Sequence, residues 1–119
     1  MDTVKVKRHE EKLLRRRDQI RATIRRLERE NQELAGQRHL DWVDQARDES
    51  ETLLLDHLSE GYLRELERIE LALSRILSES YGLCIACHGA IEEGRLELFP
   101  DTEFCLACQD MREKFEKAA

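Results

Sequence analysis

Apolar residues recur along the first third of the chain with the spacing of a coiled-coil seam. Leu13, Ile20, Leu27 and Leu34 are seven apart, and Ile24 and Asn31 follow Ile20 and Leu27 by four. These positions fit d and a of a heptad, with Asn31 as a register-setting polar group. The pattern predicts a helix from about Val4 to Ala35, with Gly36 as its C-cap. At 1.5 Å per residue such a helix is a rod of about 50 Å. A second series, Leu55, Leu58, Tyr62, Leu66, Ile69, Leu73 and Ile76, advances in steps of three and four. Gly61 interrupts it at a cost of about 1 kcal/mol relative to Ala. Two such helices on a short connection pack antiparallel as a hairpin. Paired within one chain, the stripes predict a monomer.

The stretch between them, Gln37 to Ser50, reads as the tip of the hairpin. It is polar apart from Leu40, Trp42, Val43 and Ala46, and carries Asp41, Asp44 and Asp48. Taken alone, such carboxylates cap helices or face water, and Asp44 or Asp48 suits the N-cap of the second helix. After Ser80 the pattern changes. Tyr81-Gly82 opens a segment containing Gly89, Gly94 and Pro100, followed by a helix-compatible stretch from Cys105 to Lys117 with Met111 and Phe115 four apart.

Composition narrows the fold class. Charged residues make up 39% of the chain and aromatics 5%, so a thick core is excluded, while the regular leucine spacing argues against disorder. Charge is also uneven. Residues 1–30 hold eleven Lys/Arg and six Asp/Glu (+5), leaving nine and twenty (−11) for residues 31–119. Glu10, Glu11, Asp18, Glu28 and Glu30 interrupt the basic arm, which favours a solvated helix face over a DNA-binding stripe. The acidic remainder repels nucleic acid and suits a basic or metal-bearing protein partner. No apolar run reaches the roughly 18 residues of a membrane span, and no signal-peptide core is visible, so a cytoplasmic protein is expected. Thiols there stay reduced.

Four cysteines carry the chemistry. Cys84-x2-Cys87 is followed, seventeen residues later, by Cys105-x2-Cys108. Each pair presents two thiolates from one turn, and four thiolates at about 2.3 Å satisfy tetrahedral zinc with no open position. The expected cofactor is one structural zinc, which supplies much of the folding free energy of a segment with little apolar surface. Cys84-Ile85-Ala86-Cys87-His88 also matches the attachment motif of c-type haem. Haem attached in that way requires export and leaves Cys105 and Cys108 unused. His88 as a fourth ligand in place of a cysteine is the weaker variant of the zinc reading. The expected architecture is all-α and elongated, with a coiled-coil hairpin over 1–80. A four-cysteine zinc-finger module and C-terminal helix occupy 81–119.

Taken together, the hairpin, Asp41-Trp42-Val43-Asp44-Gln45-Ala46 and the four-cysteine module resemble the DksA/TraR zinc-finger family over nearly the whole chain. Tyr81-Gly82-Leu83-Cys84-Ile85-Ala86-Cys87, Gly94-Arg95-Leu96-Glu97 and Cys105-Leu106-Ala107-Cys108 complete the resemblance. It implies a bacterial transcription factor of the stringent response that binds RNA polymerase rather than a DNA sequence. The hairpin would enter the secondary channel, and Asp41, Asp44 and Ala46 would act near the catalytic magnesium, often together with the alarmone ppGpp. No ppGpp residue follows from the motif. Two departures stand out: the N-terminal extension of longer members is missing, and Trp42 places a bulky group inside the tip motif.

The resemblance implies no catalysis by the chain itself. A transcript-cleavage factor like the Gre proteins would hold a second metal between its tip carboxylates, but those proteins lack this cysteine module. A DNA-binding finger or coiled-coil adaptor is the third reading. The finger is disfavoured because Arg95 is opposed by Glu92, Glu93, Glu97, Asp101 and Glu103.

Overall fold

The computed structural model describes the backbone of residues 1–38 and 45–118, and the side chains of residues 1–33 and 56–117. Four helices follow one another: α1 (Thr3–Arg38), α2 (Gln45–Leu77), α3 (Glu93–Leu98) and α4 (Leu106–Ala118). Among the described residues the β-structure is one isolated antiparallel bridge, Leu83 to Ala90. None of the described helices is long and apolar enough to cross a membrane.

Both long helices outrun their apolar patterns. α1 continues through Gly36 to Arg38 and α2 begins at Gln45, so Gly36 is not a C-cap and Asp48 lies inside α2 rather than at its N-cap. The expected fourteen-residue tip is correspondingly shorter. Apolar spacing sees only turns that bury something, and the outer turns here are polar. One glycine costs a long helix only about 1 kcal/mol. At the other end of α1, Asp2 caps the first turn, its Oδ1 accepting from the Val4 amide at 3.2 Å and its carbonyl from Val6 at 3.0 Å.

The chain packs as two compact units, Arg17–Leu66 and Met1–Arg16 with Glu67–Ala119. In the first, Ile20 and Leu27 are buried and Ile24 half-buried, as the heptads require. Asn31 reaches across to α2, its Nδ2 donating to Asp56 Oδ1 at 3.2 Å. Leu58, counted into the seam, is instead 44% exposed. Two helices bury only a narrow stripe, and among the described residues of this unit no third layer covers its flank.

In the other unit a third layer exists. Leu13 of α1 and Ile69 of α2 are buried beside Ala72, which is wholly inaccessible, and Tyr81, Ile91 and Leu96 come from the segment after α2. Four ion pairs join the long helices to that segment: Lys5–Glu93 at 2.9 Å, Arg8–Glu97 at 3.4 Å, Arg68–Asp101 at 3.2 Å and Arg75–Glu103 at 3.8 Å. The two pairs of α1, Lys5–Glu93 and Arg8–Glu97, are exposed and contribute little each, on the order of 0.2–1 kcal/mol, whereas Arg75 and Glu103 are largely shielded from solvent. The pairs fix orientation, whereas the buried apolar residues supply the stabilisation.

A hydrogen-bonded reversal ends α2. The Ser80 amide bonds the Arg75 carbonyl at 2.9 Å and the Glu79 amide bonds Ile76 at 3.3 Å, which is a Schellman motif with Glu79 in its left-handed position (φ 61°). Glycine is the usual occupant, and a side chain there costs about 1–2 kcal/mol. Glu79→Gly should therefore raise the urea unfolding midpoint, by about 1 kcal/mol of stability; an unchanged or lower midpoint would contradict this account of the cap.

His9 is the buried polar residue of this unit. Its ring centre lies 5.8 Å from that of Tyr81, and Nδ1 has no hydrogen-bond partner. Burial lowers its pKa below the usual 6.5, helped by Lys12 and Arg8 and opposed by Glu97 and Glu93. The unfolded chain then takes up the proton more readily than the folded one. Stability should be full above about pH 6.5 and decline as pH falls below it. In urea titrations from pH 7 to 5, His9→Leu should flatten that decline; an equal slope in both proteins would place the titration elsewhere.

Candidate metal centre

Local backbone chemistry builds the first cysteine pair. Gly82 stands at φ 87°, a left-handed conformation that leads the chain out of the α2 cap. The Leu83–Ala90 bridge then closes a turn, with Ile91 N–H donating to Gly82 O and Cys84 N–H to Gly89 O, both at 2.8 Å. Inside it, His88 N–H donates to Cys84 O at 2.9 Å. His88 itself is left-handed at φ 62°, a conformation that histidine visits more readily than most residues. That reversal aims the Gly89 amide at Cys87 Sγ, 3.4 Å away.

The second pair is fixed against the first. Ile85 N–H donates to Glu103 O at 3.0 Å, which sets Cys105 beside the first turn. α4 starts at the next residue, where the Leu106 amide donates to the Glu92 carboxylate at 3.3 Å. This carboxylate stabilises the positive end of α4. Arg95, the basic residue of the loop, donates from Nε to Phe104 O at 3.0 Å, and Arg112 stacks 4.3 Å from the Phe104 ring centre. Tyr81 locks the layer from behind through a 2.8 Å bond to Pro100 O. Burial, then Asp101, keeps its phenol protonated.

The sulfurs of Cys84, Cys87, Cys105 and Cys108 all lie within 4.8 Å of one another. Cys87 and Cys105 Sγ are 3.8 Å apart. A tetrahedron with metal–sulfur bonds of about 2.3 Å has edges of about 3.8 Å, so the spacing fits a four-thiolate site. Cys84 and Cys105 are buried, Cys108 half-buried and Cys87 exposed. Burial opposes the Cys84 thiolate, but hydrogen bonds from the Cys105, Cys87 and Ala86 backbone and from the Cys108 thiol bring its pKa down to about 6. Hydrogen bonding with Cys105 and Cys84 pushes Cys108 up to about 12. Sulfurs this close cannot all ionise unaided, and a divalent cation supplies the missing charge.

The donor set suits a structural zinc: four sulfurs complete the tetrahedron and leave no position for water. His88 is outside the sulfur cluster. It belongs to the turn, and neither the haem reading nor histidine ligation finds support in this geometry. Of the remaining sequence-derived site residues, Asp41 and Asp44 lie outside the described residues. Ala46 is the second residue of α2, with its side chain likewise outside them. Glu92 and Glu103 were not legible as site residues. Glu92 precedes Leu106 by fourteen positions, a separation no local spacing rule detects. Cys108→Ser, or chelation, should abolish stoichiometric zinc in metal analysis and lower the thermal midpoint, while most far-ultraviolet helicity persists in α1 and α2. Full zinc content in the variant would rule out Cys108 as a ligand.

Residues 79–114 match the prokaryotic DksA/TraR C4-type zinc finger. An uncharacterized protein of Aquifex aeolicus (strain VF5) is 35% identical over 74 residues, 62% of this chain. The match spans about half of that protein's length (51%). The structure of transcription factor DksA2 from Pseudomonas aeruginosa superimposes with a TM-score of 0.87 at 29% identity, covering 98% of this chain and 89% of that one. Residues 79–114 thus carry the DksA/TraR C4-type zinc finger, and the chain shares its helical fold almost end to end with a transcription factor that is 29% identical to it.

Proposed function

We propose that this protein is a bacterial transcription regulator that acts in the cytoplasm by binding RNA polymerase directly, through the secondary channel, without chemistry of its own. The observation that carries the reading is the likeness to a transcription factor over 98% of the chain, combined with the sequence Asp41-x-x-Asp44-x-Ala46, which runs from the connection into the first turn of α2.

In this reading the work is divided along the chain. Residues 1–80 form the arm that carries the acidic tip, and residues 81–119, organised by zinc on Cys84, Cys87, Cys105 and Cys108, hold its base. Zinc supplies charge neutralisation and a covalent-like cross-link between the two cysteine turns. Asp41 and Asp44 place two hard carboxylate oxygens near the polymerase's catalytic magnesium and basic side chains. Ala46 keeps the neighbouring turn small enough for close approach. The consequence is an altered lifetime of the promoter complex, with ppGpp as co-regulator.

Transcription in vitro with purified polymerase, with and without ppGpp, tests this directly. Asp41→Asn with Asp44→Asn should remove at least about nine-tenths of the regulatory effect, comparable to losing charge-assisted contacts of about 1.5–3 kcal/mol, with unchanged zinc content and polymerase affinity within a few-fold. Normal regulation by the double variant would sink the assigned tip role. Stimulated cleavage in backtracked complexes would replace the reading with a Gre-like one.

A further inference from the structure

The chain contains two methionines, Met1 and Met111, and both are more than half accessible to solvent, at 54% and 60%. Their surroundings differ. Met111 stands on the exposed length of α4. Met1 reaches from the start of α1 to the turn that carries Cys84. Its methyl carbon fills the space beside Gly82: a β-carbon on that glycine would stand 2.6 Å from Met1 Cε and 3.9 Å from Sδ. Leu96, wholly inaccessible, borders the same space, its Cδ1 3.7 Å from that point. Gly82 is buried and left-handed at φ 87°, and its carbonyl accepts from the Ile91 amide at 2.8 Å to close the cysteine turn. The thioether therefore rests on backbone that has no side chain of its own to yield.

The sulfur is also approachable. Met1 lines a cleft of about 320 Å³ with Thr3, Val6, Ile76, Glu79 and Tyr81. That is many times the roughly 30 Å³ share of one water molecule, so hydrogen peroxide has room beside Sδ. In the reaction peroxide passes one oxygen atom to Sδ: the O–O bond breaks, an S–O bond forms, the sulfur loses two electrons and water leaves. The flexible apolar thioether becomes a polar, chiral sulfoxide. Its oxygen needs hydration, and hydrating it draws the side chain away from Gly82 and from the flank of Leu96. The next ion pair along α1, Lys5–Glu93, is exposed and a weak tie. We propose that Met1 is an oxidation site whose sulfoxide loosens α1 from the turn that presents Cys84. Met111, as open to oxidant but on a solvent-facing helix, is the internal comparison.

Each methionine is tested as the sole one in the chain. Zinc-loaded full chains carrying Met111→Leu or Met1→Leu are treated briefly with hydrogen peroxide. Position 1 variants are released from a leader whose cleavage leaves that residue first. Mass mapping scores the sulfoxide, and thiol titration after metal removal checks that the four cysteines stay reduced. In oxidised Met111→Leu, which retains Met1, backbone hydrogen exchange over residues 82–91 should quicken severalfold, and zinc should pass faster to a chelator. Repair by the two methionine sulfoxide reductases, one for each epimer, should restore both. Oxidised Met1→Leu should exchange as it did before treatment, since leucine is close enough in volume to keep the packing. Met1→Gln, polar from the outset, should reproduce the loosened state without peroxide. Unchanged exchange and zinc release in fully oxidised Met111→Leu would overturn the inference. An equal response in oxidised Met1→Leu would overturn it too, since the sensitive group would then lie elsewhere.

Discussion

Four sulfurs within 4.8 Å of one another are the constraint on which the carboxy-terminal part of this protein depends. Neutral thiols tolerate that proximity, but four thiolates do not, and the opposed displacements of Cys84 and Cys108 express the conflict. A divalent ion turns mutual repulsion into attraction. Around it the apolar resources are slight: Tyr81, Ile91 and Leu96 are the large buried side chains of residues 81–118. Such a segment has too little core to hold two separate turns together without a cross-link.

The long helices depend on that layer locally. Where it is present, Leu13, Ile69 and Ala72 are almost wholly inaccessible; where α1 and α2 pack alone, Leu58 stays 44% exposed. The absolute inaccessibility of an alanine shows how closely the backbones approach there. Ion pairs such as Arg75–Glu103 then add directionality that apolar burial lacks.

Much of this was legible in the sequence, for identifiable reasons. The heptad positions Leu13, Ile20 and Leu27 and the second-helix position Ile69 are buried because period 3.5 is a direct consequence of helix geometry. The cysteine spacing is legible because two ligands from one turn require a short interval. What escaped the sequence was either polar or non-local. The outer turns of α1 and α2 bury nothing that a periodicity can register. His9 and Ala72 join the core only because a third layer covers them, and neither residue type advertises burial at those positions. The end of α2 at Leu77 follows the last apolar position, Ile76, although Glu79 stands where a glycine would normally mark it. The tip motif was readable only as a pattern joined to its context, since Asp-x-x-Asp alone describes countless helix caps.

The unit that contains the cysteines is assembled from both ends of the sequence, Met1–Arg16 and Glu67–Ala119, and is stitched by contacts as distant as Lys5 to Glu93, 88 positions apart. During synthesis the first sixteen residues therefore leave the ribosome long before anything exists for them to pack against. The intervening unit, Arg17–Leu66, is made of chain-contiguous pieces and can pair its helices earlier. Closure of the discontinuous unit needs residues as late in the chain as Cys105 and Cys108. With an ion on the four cysteines, metal supply would then bear on when the chain closes this unit, as well as on how stable it is once folded.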